Sequence, residues 1–192
     1  TDSPKKTIVI TSTGPKEGKS TTTVNLGMAL AHAEQRVLLV DADLRRPILH
    51  RVFDIDRDRG LSTVLAQELT LDEAIVQTDV PNLSLLAAGA LPVDPPEILG
   101  TSRMKELISK IREQYDIVLF DSAPVLGVTD TVVLATEADA TVLVIKTGVV
   151  TRKALKIALS QLEQVGAEVY GVVLNNVDFK RDRYYYHKYY YY

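Results

Sequence analysis

The 192-residue chain carries a formal net charge of -3, is 46% hydrophobic and 24% charged, and contains no cysteine. These values exclude disulfides, thiolate zinc sites and thiol nucleophiles, give no global electrostatic reason to bind nucleic acid, and fit one globular domain in a cytosolic setting. No apolar run approaches the roughly 18 residues that cross a bilayer, and the opening Thr-Asp-Ser-Pro-Lys-Lys lacks the apolar core of a signal peptide. A start without Met, a few residues before the first strand, reads as a fragment of a longer protein.

In chain order, β-branched apolar runs at 7–11, 36–40, 116–120, 141–146 and 169–174 predict strands buried on both faces. Helical patterns at 20–33, 102–114 and 152–165 alternate with them. The alternation predicts an α/β fold with a mostly parallel sheet and helices on both faces. Leu83 to Leu86 reads as a further strand, Gly60 to Gln67 and Leu71 to Val76 as short helices, and Pro92 to Pro96 as a loop. Residues 1–177 are expected to form one P-loop domain, and 178–192 a flexible tyrosine-rich tail.

The first strand runs through Gly14-Pro15-Lys16-Glu17-Gly18-Lys19-Ser20-Thr21 into a helix, which is the context of a phosphate-binding P-loop. Backbone N–H groups at Lys16 to Lys19 and the positive end of the helix suit phosphate oxygens. Lys19 suits the β and γ phosphates, and the Ser20 hydroxyl suits Mg2+. Thr13 stands where the loop signature has its first glycine, and Gly14 follows it. Glu17 is expected to contribute its backbone N–H and turn its side chain outward.

The second strand ends in Asp41-Ala-Asp43-Leu-Arg45-Arg46-Pro47, and a later one in Asp121-Ser-Ala-Pro124. Carboxylates at the C-terminal ends of parallel strands face the crevice where such sheets bind ligands. Asp41 and Asp43 are thus placed for the metal and the nucleophile, and Asp121 as the carboxylate that positions the metal. Arg45 and Arg46 suit either phosphate neutralisation or surface and subunit contacts. The last strand ends in Asn175-Asn176, whose amides have the donor and acceptor needed to read an adenine edge. His32, His50 and His187 are too scattered in sequence to suggest a metal site.

These motifs together resemble the bacterial tyrosine kinases that accompany capsule and exopolysaccharide export. The likeness rests on Pro15 to Ser20, Asp41 to Pro47 and Asp121 to Pro124, supported by Gly60-Leu-Ser-Thr-Val-Leu and Pro96-Glu-Ile-Leu. In that family these blocks are Walker A, A′ and B. The resemblance implies an ATP- and Mg2+-dependent protein-tyrosine autokinase. Lys19, Ser20 and Thr21 would bind phosphates and metal, Asp41 would activate the tyrosine hydroxyl, Asp43 and Asp121 would hold the metal, and Asn175 would face the base. The usual glycine after Pro15 is Lys16 here, and the family's upstream Glu-x-x-Arg-x-x-Arg helix is absent from the chain.

Seven of the nine tyrosines, Tyr184, Tyr185, Tyr186, Tyr189, Tyr190, Tyr191 and Tyr192, close the chain. By resemblance they are the phosphoacceptors. About 15 extended residues span at most some 50 Å, enough to reach a neighbouring subunit, so transfer between subunits of a ring-type homo-oligomer is expected. The resemblance also implies a transmembrane polysaccharide-export adaptor, a tyrosine phosphatase and a place at the inner face of the cell membrane. The alternative is a switch ATPase of the ParA and MinD type. That group carries an early loop lysine at the position of Gly14.

Overall fold

The computed structural model describes residues 4–178. The tyrosine cluster and nearly all of the tail therefore lie outside the described residues. Seven strands form one sheet in the order β3-β4-β2-β5-β1-β6-β7. They are β1 (Thr7–Ser12), β2 (Val37–Ala42), β3 (Ile75–Gln77), β4 (Leu83–Leu86), β5 (Ile117–Ser122), β6 (Ala140–Lys146) and β7 (Val169–Asn175). All pairings are parallel except β3 with β4. Among the described residues eight helices accompany them: α1 (Lys19–His32), α2 (Leu49–Val52), α3 (Leu61–Leu65), α4 (Leu71–Ala74), α5 (Pro95–Leu99), α6 (Ser102–Gln114), α7 (Asp130–Ala135) and α8 (Arg152–Gln164).

The central strands read as unbroken apolar runs because both faces are covered. Leu38, Val40, Val118 and Phe120 pack with Met104, Leu107, Ile108 and Ile111 of α6 on one face. Leu39, Val37, Leu85 and Leu119 pack with Val24 and Ala31 of α1 on the other. The buried residues of α6 recur at the three- and four-residue spacing of one helical stripe.

Three expectations change, and two short helices are added to those expected. The helix expected to reach Val76 stops at Ala74, and Ile75–Gln77 becomes an antiparallel edge strand; the β-branched Ile75-Val76 pair prefers the pleated conformation. The end of the expected proline loop is helical, because Pro95 fits the first helical position and Asp94 accepts the Glu97 N–H at 3.4 Å. The short helices α2 and α7 also form, without a period long enough to read in the sequence. The third concerns β7, which among the described residues pairs only with β6 and is not buried on both faces. Tyr170 is 69% exposed and Leu174 60%. An apolar run has the same composition at a sheet edge as at its centre, so its exposure follows from strand order alone. Leu174→Thr is accordingly expected to change the unfolding free energy by no more than about 0.5 kcal/mol in urea titrations. A loss of about 2 kcal/mol or more, the size of a core truncation, would show that the side chain is covered.

Candidate nucleotide site

The strand order brings β2, β5 and β1 side by side, with Asp41 in register with Asp121 and Ile10 in register with Asp121. Three segments far apart in sequence thus deliver the P-loop and both carboxylate motifs to one end of the sheet. They border a cleft of about 610 Å3 lined by Pro15, Lys16, Gly18 to Thr21, Asp43, Arg46 and Pro124, among others.

Helix α1 begins at Lys19 after Gly18 at φ 102, with no side-chain cap and no acidic residue in its first turn. Helices α4, α5, α6 and α8 are each capped by a side chain, from Thr70, Asp94, Thr101 and Thr151. The open N–H groups of α1 and its positive dipole end therefore face the cleft available to an anion. The strict need for Gly18 is steric as well as conformational: an added Cβ would lie 2.0 Å from Asn175 Nδ2. Lys16 also takes a left-handed conformation, at φ 62. That explains why the resembling family places glycine there and marks Lys16 as a strained position.

Lys19 Nζ is 2.9 Å from Asp43 Oδ2, 3.3 Å from Asp121 Oδ1 and 3.2 Å from Ser20 Oγ. Burial disfavours its charge, but Asp121 and Asp43 outweigh burial and raise its pKa. The lysine here fills the place between carboxylates where a cation belongs. Asp121 Oδ2 and Asp41 Oδ1 are buried without a hydrogen-bond partner. Burial, then the neighbouring charges, pushes Asp41 up to about 7, with Asp121 the first of those charges; burial likewise raises Asp121. The orphaned Asp121 oxygen, on a carboxylate that the Ser20 hydroxyl reaches, fits a hard divalent cation such as Mg2+, with Ser20, Asp43 and Asp121 as the residues to hold it directly or through water. Among the described residues no three acidic or imidazole groups converge on one point. Such an ion would depend on phosphate oxygens and water for the rest of its shell.

The structure separates the two predicted catalytic aspartates. Asp43 borders the cleft, whereas Asp41 is fully buried and its Oδ2 accepts the Ile48 and Leu49 N–H groups at 3.0 and 2.9 Å. It separates the arginines too. Arg45 grips buried Asp130 at the start of α7 through two bonds of 2.6 and 3.0 Å, while Arg46 borders the cleft. No sequence signal links Arg45 to Asp130, which lie 85 residues apart. Glu17 overturns its expectation. Its side chain turns inward, is 5% exposed, and accepts the Thr13 N–H at 3.1 Å and the Thr13 hydroxyl at 2.6 Å. Asn175 reaches the loop, donating to the Glu17 carbonyl at 2.9 Å. Pro15 and Thr21 line the cleft, and Gly14 sits against Glu17.

A doubly wound sheet with an uncapped helix after a lysine-bearing glycine loop, and carboxylates on the neighbouring strand ends, defines a P-loop ATP-binding domain. Residues 5–171 match the AAA domain family. Within that class, the chain belongs to the bacterial tyrosine-kinase family. It is 36% identical over 174 residues to tyrosine-protein kinase YwqD of Bacillus subtilis, covering 91% of this chain and 73% of that protein. It is 35% identical over 170 residues to tyrosine-protein kinase ptk of Acinetobacter johnsonii, covering 88% of this chain but 23% of that protein. The chain thus spans about a quarter of the longer relatives it matches. Among solved structures, the kinase domain of Escherichia coli ETK superposes with a TM-score of 0.89 at 31% identity, over 92% of this chain and 69% of that one. The chimerical protein CapA2B2 gives 0.88 at 33%, over 92% and 78%. Pyrococcus furiosus cell division ATPase MinD gives 0.73 at 28%, over 89% and 72%.

Proposed function

We propose that this chain is the catalytic part of a protein-tyrosine kinase that transfers the γ-phosphoryl group of ATP to its own tyrosine cluster, Tyr184 to Tyr192, between subunits. The observation that carries the reading is the Lys19, Ser20, Asp43 and Asp121 constellation under the open end of α1, in a chain 36% identical to YwqD. Mg2+, when bound, supplies charge neutralisation to the phosphates. The chain's own residues do the rest. Backbone N–H groups from Lys16 to Thr21 hold the phosphates, and Lys19 leaves Asp43 and Asp121 to meet the β and γ oxygens. Arg46 adds positive charge at the rim.

Phosphoryl transfer needs positioning and charge neutralisation more than a strong base. Asp41, held near neutrality by burial, suits the proton of the incoming tyrosine. Its Oδ2 is held by the Ile48 and Leu49 N–H groups, which leaves the unpartnered Oδ1 as the atom to take that proton. No described helix is long and apolar enough to cross a membrane. A polysaccharide-export adaptor, supplied as a separate protein or as another segment of the whole one, would place the domain at the inner membrane face. The likeness to CapA2B2 supports that partner.

The test is intact-mass spectrometry of phosphatase-treated protein incubated with ATP and Mg2+, beside Lys19→Met and a chain truncated after Arg183. Several added phosphates that vanish in both variants are expected. ATP hydrolysis with no phosphate on the protein, even with a candidate adaptor, would move the assignment to a MinD-like switch ATPase.

A further inference from the structure

A carboxylate inside an anion-binding loop opposes the loop's purpose unless it does something a neutral side chain would not. Glu17 sits two residues before Lys19, and its negative charge repels phosphate. Yet the loop is built around it. Its two carboxylate oxygens take both donors of Thr13, the N–H at 3.1 Å and the hydroxyl at 2.6 Å. Thr13 is itself buried at 3% exposure, so both bonds are shielded from water. A Cβ on Gly14 would lie 3.0 Å from Glu17 Oε1, so the carboxylate takes up the space that a side chain at 14 would need. The Glu17 carbonyl accepts the Asn175 amide at 2.9 Å, tying the same residue to the end of β7.

We infer that Glu17 is a positioning residue for nucleotide: with Thr13 it forms an internal clasp that holds the phosphate loop in its binding conformation before nucleotide arrives. The sequence departs from the loop signature at this point, with threonine in place of the first glycine. The clasp gives that departure a physical reason. Glycine at 13 would leave Glu17 a backbone N–H but no hydroxyl, and the carboxylate would lose its shorter bond. A loop held from within pays less ordering entropy when it closes on phosphates, and so binds more tightly. The inference rests on the phosphate loop as the nucleotide site and is independent of transfer to tyrosine.

Calorimetric titration with ADP and Mg2+ tests it without any reliance on kinase activity, using the full chain. Glu17→Ala is expected to weaken binding about tenfold, the equivalent of one charged hydrogen bond left unmade. Thr13→Ala is expected to weaken it about threefold, and the double variant to bind no worse than Glu17→Ala alone, because the pair acts as a unit. Glu17→Gln keeps one acceptor and is expected to fall between the parent and Glu17→Ala. The urea midpoint of each nucleotide-free variant separates loop ordering from general instability. Should Glu17→Ala fail to fold, Thr13→Ala and Glu17→Gln carry the test. Unchanged or tighter binding in the Glu17 variants would mean that charge repulsion dominates and would overturn the proposal. Fully additive losses from Thr13 and Glu17 would overturn the clasp.

Discussion

Gly18→Ala is expected to reduce ADP and ATP affinity by at least about 100-fold, because a left-handed residue with a side chain costs roughly 1–2 kcal/mol before any collision is counted. The collision is severe. The new Cβ would stand 2.0 Å from Asn175 Nδ2 and 3.1 Å from its Cγ, at a residue whose φ is 102. Asn175 cannot rotate away without surrendering its bond to the Glu17 carbonyl. The substitution therefore either turns the Asn175 side chain away and breaks that bond, which unties the loop from β7, or shifts the loop from the start of α1. The N–H groups of residues 16–21 would lose their convergence in both cases. Far-ultraviolet circular dichroism should stay close to that of the parent, since the sheet core at Val40, Leu119 and Val9 lies elsewhere. Calorimetry checks the affinity. Binding within threefold of the parent would show that the packing of Asn175 on the loop is dispensable.

The second large effect is a gain in stability at the expense of activity. Asp41 is pushed up to about 7 by burial first and by Asp121 second. A carboxyl whose native pKa lies above its unfolded value keeps its proton longer in the folded state. Its contribution therefore favours folding fully below about pH 4 and is lost as pH rises to 7 and beyond, on the order of 4 kcal/mol in all. Asp41→Asn retains an acceptor for the Ile48 and Leu49 N–H groups and has no charge to bury. The nucleotide-free variant is expected to exceed the parent by about 2–4 kcal/mol at pH 8, with the advantage vanishing towards pH 4. Urea titrations of both proteins at pH 5 and pH 8 report Asp41 together with its repulsion by Asp121, because every other carboxyl is common to the pair. Equal stabilities at pH 8 would mean that Asp41 carries its charge at no cost. If the chain transfers phosphate to its own tyrosines as proposed, the same variant should lose that activity, the usual exchange when a functional group held at a cost to stability is removed.

Much of the site was legible along the chain because its chemistry is local. The strand, glycine turn and helix around Lys19 are contiguous, and Asp41, Asp43 and Asp121 each close an apolar run, so composition and spacing alone located them. The alternation of strand and helix likewise implied the parallel sheet, since both faces of β2 and β5 must be apolar to be covered.

Other features depend on which strands become neighbours, and no short stretch of sequence encodes that. The insertion of β5 between β2 and β1 buries both carboxylates, which raises both pKa values, and sets Asp121 beside Asp41, which raises that of Asp41 further. The same packing buries Asp41 while leaving Asp43 on the cleft, and gives Arg45 to Asp130 while leaving Arg46 free of that pair. Glu17 turns inward because Thr13 offers two donors four residues back around a tight loop, a closure that its identity as a charged residue argued against. The exposure of β7 follows from its place at the sheet's edge. Residue type and spacing announce what a segment can do; burial, partner and charge state arise from contacts across the fold, and those decided which of the candidate groups face the nucleotide cleft.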